Sequence, residues 1–278
     1  MSVFYQQKGN NVEVEIPDGM SLADTLDCGQ AFRWRECDGC FEGIVDRKYL
    51  KIEERDGRLI FHNTSITVFN TVWSDYFDFE RDYSEVKTAL STDETLKKAV
   101  GFAGGIRVLH QKPWECICSF IISQNNNIPR IKGIIERLCE NFGEKIEGGY
   151  TFPEADVIAK LSPEDLAPLR AGFRTKYILD AARKVASREV DLRAILTMST
   201  DDARAELMKI YGVGQKVADC VLLFGFNRVE VIPKDVWIKR VLSELFDGEL
   251  PECAQPYAGI AQQYLFHYAR MTKLKIGE

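Results

Sequence analysis

The feature that most constrains this chain is residues 199–241, where two glycines around one apolar residue separate two helical patterns. Glycine permits a tight reversal of the backbone, after which the first amides of the following helix point outwards without partners. Such amides form an anion site, and a DNA phosphate is the anion that suits it. In chain order we predict a helix over residues 201–210, the hairpin Gly212, Val213, Gly214 and Gln215, a helix from Gln215, and a helix opening near Asp235.

Two chemically useful side chains belong to this stretch. Lys216 lies one residue into the second predicted helix, where the positive end of the helix dipole favours a neutral, nucleophilic amine over an ammonium. Asp235 precedes an apolar-periodic segment, so we predict a capping residue with a fixed carboxylate. Spacing alone leaves two interpretations open: a catalytic pair, or a phosphate-binding lysine and a simple helix cap.

The strings GVGQKVADC and VIPKDVW resemble the hairpin and the Gly/Pro/Asp signature of helix-hairpin-helix (HhH-GPD) DNA glycosylases, in detail their 8-oxoguanine branch. The resemblance is dense over residues 101–240, with short matches at residues 29–34 and 257–266. It implies a base-excision repair enzyme that removes 8-oxoguanine, preferably opposite cytosine, through a lysine Schiff base and then cleaves the strand by β-elimination. It also implies that Lys216 and Asp235 are the catalytic pair, that no cofactor or catalytic metal is needed, and that hairpin carbonyls could hold a structural monovalent cation.

The resemblance gives functions to residues that patterns alone would assign to turns or to packing. Asn125, with Asn126 beside it, would fill the hole left by the extruded nucleotide. Arg130 and Arg174 would contact the orphaned cytosine, and Phe173 would be the wedge that buckles the duplex.

A base pocket is implied in the same way. The damaged base would be sandwiched between Cys220 and Phe266, while Gln262 reads its Watson–Crick edge. The carbonyl of Gly29 would accept the hydrogen on N7, which guanine lacks. Trp237 stands where better-studied members of the family carry a histidine, and an indole donates one hydrogen bond but cannot become cationic.

The remaining patterns predict an α+β protein. An antiparallel β-sheet domain, residues 1–93, would be followed by an all-α body, residues 94–278. The resemblance implies that the sheet is twisted and that the body is a helix-hairpin-helix glycosylase body with the active site between two helical subdomains. The aromatic residues between residues 64 and 94 are expected to pack in the core. Strands are predicted over residues 30–35, 41–45, 49–53 and 58–62, with turns at Asp38-Gly39 and Asp56-Gly57. Helices are predicted over residues 94–102, 113–123, 129–142, 154–160, 163–170, 175–187 and 192–196.

Composition adds limits rather than a function. The net charge of −6 counts against a nucleic-acid binder, although a lesion-specific enzyme can gather its basic groups on one face. Eight cysteines without an export or membrane signal predict reduced thiols in an intracellular protein that works with the DNA. We expect Cys37 and Cys40 to bracket a tight hairpin rather than a zinc site, and the isolated Cys253 to form no iron–sulfur cluster.

The expected partner is duplex DNA containing 8-oxoguanine, bound by a monomer. Two alternatives stay open. One is a glycosylase of the same fold for alkylated bases, which would need no lysine nucleophile. The other is a non-catalytic module that binds DNA structures.

Overall fold

The computed structural model describes residues 3–272 and divides into two compact units. Among the described residues, the first unit consists of residues 3–30, 52–110 and 227–272. The second consists of Ala31–Lys51 and Gln111–Phe226. The predicted domain boundary after residue 93 stays a prediction.

The structure contains an antiparallel sheet of six strands, with strand order β1-β2-β6-β5-β4-β3, which confirms the predicted antiparallel sheet. Its strands are β1 (Tyr5–Lys8), β2 (Asn11–Glu15), β3 (Arg35–Cys37), β4 (Cys40–Val45), β5 (Lys48–Arg55) and β6 (Arg58–Phe61). The turns Asp38-Gly39 and Asp56-Gly57 both adopt positive φ angles, 51° and 75° in the first and 52° and 72° in the second. Such angles at both central residues match the twist of an antiparallel hairpin, which explains the Asp-Gly sequence at each turn. A second hairpin pairs β7 (Lys145–Ile146) with β8 (Gly149–Tyr150).

The strand predicted over residues 30–35 is wrong over most of its length. Residues 30–34 form bends and irregular backbone that is mostly buried, and β3 begins only at Arg35. The cause lies in Gln30, whose buried amide nitrogen donates to the carbonyls of Thr25 (2.9 Å) and Arg107 (2.8 Å). These side-chain bonds fix a non-extended backbone.

The helices follow the sequence predictions closely. In the first unit they are α1 (Leu22–Asp27), α2 (Ile66–Val68), a π-helical turn (Phe69–Trp73), α3 (Ser74–Tyr76), α4 (Tyr83–Leu90) and α5 (Glu94–Ala103). In the second unit they are α6 (Pro113–Ser123), α7 (Ile128–Phe142), α8 (Ala155–Ala159), α9 (Thr175–Ala186), α10 (Leu192–Ile195), α11 (Thr200–Leu207) and α12 (Gln215–Phe226). The first unit ends with α13 (Val236–Phe246) and α14 (Ala258–Thr272). Short 3₁₀ segments occur at Pro17–Gly19, Ala167–Leu169, Gly172–Arg174 and Glu252–Tyr257.

One predicted helix is wrong. Residues 163–170 form turns and the 3₁₀ segment Ala167–Leu169 instead of an α-helix. Pro168 has no amide hydrogen and cannot take part in an α-helical ladder, and Arg170 then adopts a left-handed φ of 53°.

The aromatic residues between the sheet and α5 are largely buried, as predicted. Phe61 makes edge contacts with Phe69, Phe77 and Phe79 in the first unit. Because Phe61 belongs to β6, these contacts pack that strand against the aromatic residues that follow the sheet in sequence.

The cysteines behave largely as small apolar residues. Burial raises the pKa of Cys28 and of Cys139 to about 12, so both thiols stay protonated at neutral pH. Cys37 and Cys40 are register partners across the β3–β4 hairpin, which confirms that interpretation of their spacing. Over residues 3–272, no helix combines the length and apolarity needed to cross a membrane.

His110 is the titratable group in the first unit with the clearest consequence for stability. Its Nδ1 lies 3.0 Å from Asp75 Oδ1 and its Nε2 lies 3.1 Å from Asp78 Oδ1. Burial alone would lower the pKa of His110, but the hydrogen bonds and charges of the two aspartates outweigh it and raise the pKa to about 9.

Because the folded pKa lies above the ordinary value of 6.5, this stabilisation is complete below pH 6.5 and is lost as pH rises through about 9. We predict that the free energy of unfolding of the wild type falls between pH 7 and pH 9 by about 2 kcal/mol more than that of His110→Asn. Urea denaturation at a series of pH values measures both curves. Parallel curves would contradict the assignment.

Candidate active site

The predicted hairpin is present between α11 and α12. Gly212 adopts a left-handed φ of 83°, and the side chain of Val213 is buried below the turn. The carbonyl of Gly214 accepts the first helical hydrogen bond of α12, from the amide of Ala218 at 3.0 Å. The first amides of α12 therefore stand at the turn, where helix geometry leaves them without intrahelical partners. This is the arrangement that an anion site requires.

Gly212 is required for a second reason. A methyl group at this position would lie 2.5 Å from ring carbons of Tyr177 on α9. The backbone of the hairpin therefore rests directly on the face of that ring. Any larger residue at position 212 would have to displace the Tyr177 ring.

A partly buried ion pair joins the two helices that flank the hairpin. Arg204 Nε on α11 lies 2.6 Å from Asp219 Oδ1 on α12, and Arg204 Nη1 lies 2.6 Å from Asp201 Oδ1. Burial alone would lower the pKa of Arg204, but the bonds to the two aspartates raise it. This pair was not predicted from the sequence. The available signal was a charged residue, Asp219, within the otherwise apolar run of α12.

Lys216 is the second residue of α12 and is half-buried. Its Nζ lies 5.6 Å from the ring centroid of Phe120, which in turn stacks on Phe224 at 5.3 Å. This cation–π contact holds the amine over the aromatic ring. Cys220 follows four residues later, buried on the same side of the helix. Within the second unit, the structure thus brings Lys216, Cys220 and the hairpin together.

The loop between α6 and α7 carries the predicted asparagines. Asn125 is exposed with a left-handed φ of 47°, while the Asn126 side chain donates to the carbonyl of Ile122 at 3.0 Å. Asn127 caps α7 by accepting from the amide of Arg130 at 3.0 Å. Arg130 is exposed on the first turn of that helix. The structure therefore presents Asn125 and Arg130 to solvent and uses Asn126 and Asn127 to shape the loop.

Arg174 lies beneath this loop and is only 2% exposed. Its Nε donates to the carbonyl of Gln124 (2.8 Å), its Nη2 to those of Gln124 and Asn125, and its Nη1 to that of Ala171 (3.2 Å). Burial and the neighbouring charge of Arg130 lower the pKa of Arg174. The guanidinium holds the backbone of Asn125 in place.

Phe173 precedes Arg174 and is 47% exposed, an uncommon position for a large apolar ring. The guanidinium carbon of Arg174 lies 4.4 Å from its ring centroid. The exposed ring thus stands on a cation that is itself fixed by hydrogen bonds.

The first unit holds the other predicted site residues. Asp235 caps α13, as predicted, because its Oδ1 accepts from the amide of Ile238 at 2.7 Å. Trp237 and Phe266 meet edge to face with ring centroids 5.0 Å apart, which joins α13 to α14. Gln262, four residues before Phe266, is buried and accepts at Oε1 from Gln263 Nε2 at 3.2 Å.

Gly29 follows the end of α1 with a φ of 89°, a conformation that favours glycine. The neighbouring Gln30 fixes it: besides its two donated bonds, Gln30 Oε1 accepts from the amide of Leu109 at 2.9 Å. Gln30 was predicted as a strand residue, and its anchoring bonds were missed because their partners are distant in the sequence.

Comparison with known proteins decides the family. Residues 13–117 match the model of the 8-oxoguanine DNA glycosylase N-terminal domain, and residues 118–249 match that of the HhH-GPD superfamily of base excision DNA repair proteins. The chain belongs to the 8-oxoguanine DNA glycosylase family. A "Probable N-glycosylase/DNA lyase" of Methanothermobacter thermautotrophicus is 32% identical, over 71% of this chain and 74% of that protein.

Solved structures of this family superpose on nearly the whole chain. The 8-oxoguanine glycosylase/lyase of Clostridium acetobutylicum, in complex with double-stranded DNA containing cytosine opposite 8-oxoguanine, has a TM-score of 0.91 and 36% identity. The superposition covers 99% of this chain and 100% of that one. The glycosylase family thus carries the α+β fold seen here.

A DNA-3-methyladenine glycosylase of Bacillus subtilis is 29% identical over 54% of this chain and 51% of that protein.

The two hairpin glycines provide a matched pair of variants. We predict that Gly212→Ala lowers the free energy of unfolding by about 1–3 kcal/mol, because alanine is strained at positive φ and its methyl would strike Tyr177. Among the described residues, no heavy atom lies within 4 Å of a methyl at Gly214, so Gly214→Ala should leave stability unchanged.

Gly214→Ala should instead weaken duplex binding by about tenfold, the cost of one lost phosphate hydrogen bond. Urea denaturation and fluorescence anisotropy with a labelled duplex measure the two effects. Equal stability of Gly212→Ala and wild type would contradict this account of the hairpin.

Proposed function

We propose that this protein is a bifunctional DNA glycosylase and AP lyase that binds duplex DNA as a monomer. It excises 8-oxoguanine opposite cytosine through a Schiff base on Lys216 and then cleaves the strand by β-elimination. One observation carries the proposal: the half-buried Lys216 follows a glycine hairpin at the start of α12. A relative in Saccharomyces cerevisiae, 38% identical over 49% of this chain and 41% of that protein, carries the name N-glycosylase/DNA lyase.

Binding begins with the phosphate backbone. The amides at the start of α12 bind a phosphate, aided by the positive end of the helix dipole. Phe173 then inserts into the duplex as a wedge, and unstacking costs a few kcal/mol that contacts to the distorted DNA offset. Its 47% exposure supports this function, since a phenylalanine that served only to fill the core would be buried.

The opposite strand is read by the loop between α6 and α7. Asn125 fills the space left by the flipped nucleotide, and the exposed Arg130 contacts the orphaned cytosine. Among the described residues, four of the five N–H groups of Arg174 donate to backbone carbonyls, and the fifth, on Nη1, would donate to the cytosine. Its larger contribution is to hold Asn125 in the left-handed conformation.

The flipped base is recognised on its faces and on its edges. Cys220 and Phe266 lie against its faces, with Trp237 supporting Phe266 from the side. Gln262 reads the Watson–Crick edge, and the carbonyl of Gly29 accepts the N7 hydrogen that distinguishes 8-oxoguanine from guanine. An unpaired buried acceptor costs about 1–3 kcal/mol, so this contact separates the two bases by roughly tenfold to a hundredfold.

The chemistry uses the amine of Lys216 as the nucleophile. Its nitrogen bonds to C1′ as the C1′–N9 bond breaks, and the bonding electrons leave with the base, which takes up a proton. The nitrogen gives up one proton, and the resulting aminal opens at the C1′–O4′ bond to a protonated imine, the Schiff base, while O4′ takes up a proton. Loss of a proton from C2′ then expels the 3′ phosphate, which is the β-elimination step.

Asp235 acts through its charge. Positive charge develops on the sugar as the glycosidic bond breaks, and a preorganised carboxylate stabilises it without reorganisation. The cap to Ile238 fixes the orientation of this carboxylate before substrate arrives.

Replacement of the lysine tests the nucleophile. We predict that Lys216→Gln binds an 8-oxoguanine duplex with wild-type affinity but neither releases the base nor forms a borohydride-trapped adduct. Lys160→Gln, an exposed lysine after α8, is the control and should behave as wild type. Single-turnover excision and gel analysis after reduction measure both steps.

Trapping that survives in Lys216→Gln would reject the nucleophile. Release of 3-methyladenine but not of 8-oxoguanine would favour the alkylated-base alternative. Duplex binding without release of any damaged base would favour the non-catalytic alternative.

Two substitutions separate the electrostatic function of Asp235 from its capping. Asn caps helices as well as Asp does, so Asp235→Asn should keep the free energy of unfolding but lower the excision rate by about 10²–10³-fold. Asp235→Ala should lose the same activity and also about 1 kcal/mol of stability. Wild-type excision by a stable Asp235→Asn variant would show that capping is the only function of this residue.

A further inference from the structure

We propose that Tyr177 is a positioning residue that couples the wedge Phe173 to the phosphate-binding hairpin. This inference rests on the proposed function, because it takes the wedge and the phosphate site from there. The inference concerns how the wedge and the phosphate site are held at a fixed distance from each other.

The contacts of Tyr177 join three separate segments of the second unit. Its ring meets Phe173 edge to face at 5.8 Å and 73°, and meets Tyr211 edge to face at 5.0 Å and 83°. Gly212 packs against the ring itself, since a methyl group added to this glycine would come within 2.5–2.6 Å of three ring carbons. One side chain on the first turn of α9 therefore touches both the wedge and the hairpin.

Further contacts hold the hairpin entrance against α9. The amide of Tyr211 donates to Asp180 Oδ2 at 2.7 Å. The Lys176 ammonium lies 5.4 Å from the Tyr177 ring centroid and 5.3 Å from that of Tyr211. Since a cation over two rings favours keeping them adjacent, Lys176 reinforces the pair. Tyr211 is 54% exposed, so little else confines it.

This packing matters because a wedge must withstand the stacking that it disrupts. Phe173 is half-exposed and is held by the Arg174 guanidinium and by the edge-to-face contact with Tyr177. If Tyr177 sets the distance between the ring and the hairpin, phosphate binding places the wedge at a defined base step. Without it, both elements would still form, but the wedge would shift relative to the bound phosphate.

The ring and not the hydroxyl makes these contacts, which gives a conservative variant. Tyr177→Phe should keep single-turnover excision of 8-oxoguanine within about twofold of wild type, as expected for a change of under 0.5 kcal/mol. Tyr177→Leu should slow the maximal excision rate by about tenfold, with little change in duplex affinity. A loss confined to affinity would contradict positioning.

A double-mutant cycle asks whether Tyr177 acts through Phe173. In a Phe173→Ala background, Tyr177→Leu should cause no further loss of excision rate, because there is no wedge left to position. Additive losses would overturn the proposal. If Tyr177→Leu does not fold, the exposed Tyr211→Ala replaces it, with an expected loss of about threefold that again vanishes in the Phe173→Ala background.

A second readout separates this proposal from the proposed function. 2-Aminopurine placed beside a tetrahydrofuran abasic analogue becomes brighter when a wedge unstacks it, whether or not any base is excised. Wild type and Tyr177→Phe should increase the fluorescence equally, and Tyr177→Leu should increase it less at saturating protein. Absence of 8-oxoguanine excision by wild type would reject the proposed function, while equal fluorescence of all three proteins would reject the positioning of Phe173 by Tyr177.

Discussion

The left-handed backbone at Gly212 is the constraint on which the second unit depends. With a φ of 83° and no side chain, the hairpin can turn and lie flat on the ring of Tyr177. The Arg204–Asp219 ion pair then fixes α11 and α12 on either side of it. Lys216 follows as the second residue of α12, so the place of its amine is set by the turn that precedes it. Fold and chemistry here depend on the same few residues.

In the first unit, Asp235 likewise has both a structural and a proposed chemical function. An N-cap must present a carboxylate in one orientation, and a group that stabilises a transient positive charge must do the same. One bond to the amide of Ile238 serves both needs. The edge contact of Trp237 with Phe266 similarly supports α13 and α14 and gives the proposed stacking residue a firm backing. Asp235 at a helix start and Phe266 at a contact between helices therefore have structural functions besides their proposed chemical ones.

The sequence predicts the parts of this site that local interactions determine. A glycine at a left-handed turn can be recognised from its immediate neighbours in the sequence. The same holds for a helix cap such as Asp235, whose hydrogen-bond partner lies only three residues away. It does not predict Arg174 as a buried support, because its carbonyl partner Gln124 lies 50 residues away. The prediction for Gln30 is wrong for the same reason, because its hydrogen-bond partner Leu109 lies 79 residues away. The strand pattern predicts an extended Gln30 and the family resemblance predicts a cytosine contact for Arg174, and only folding brings their hydrogen-bond partners within reach.

Peptide mapping of the borohydride-reduced adduct tests the central claim most directly. Wild-type protein is incubated with a duplex containing 8-oxoguanine opposite cytosine, reduced, and digested with protease and nuclease, and the modified peptide is identified by mass spectrometry. The sugar remnant is predicted on Nζ of Lys216, within the peptide that begins the helix after the hairpin. A remnant on another lysine, or an excised base with no adduct under reduction, would contradict the account.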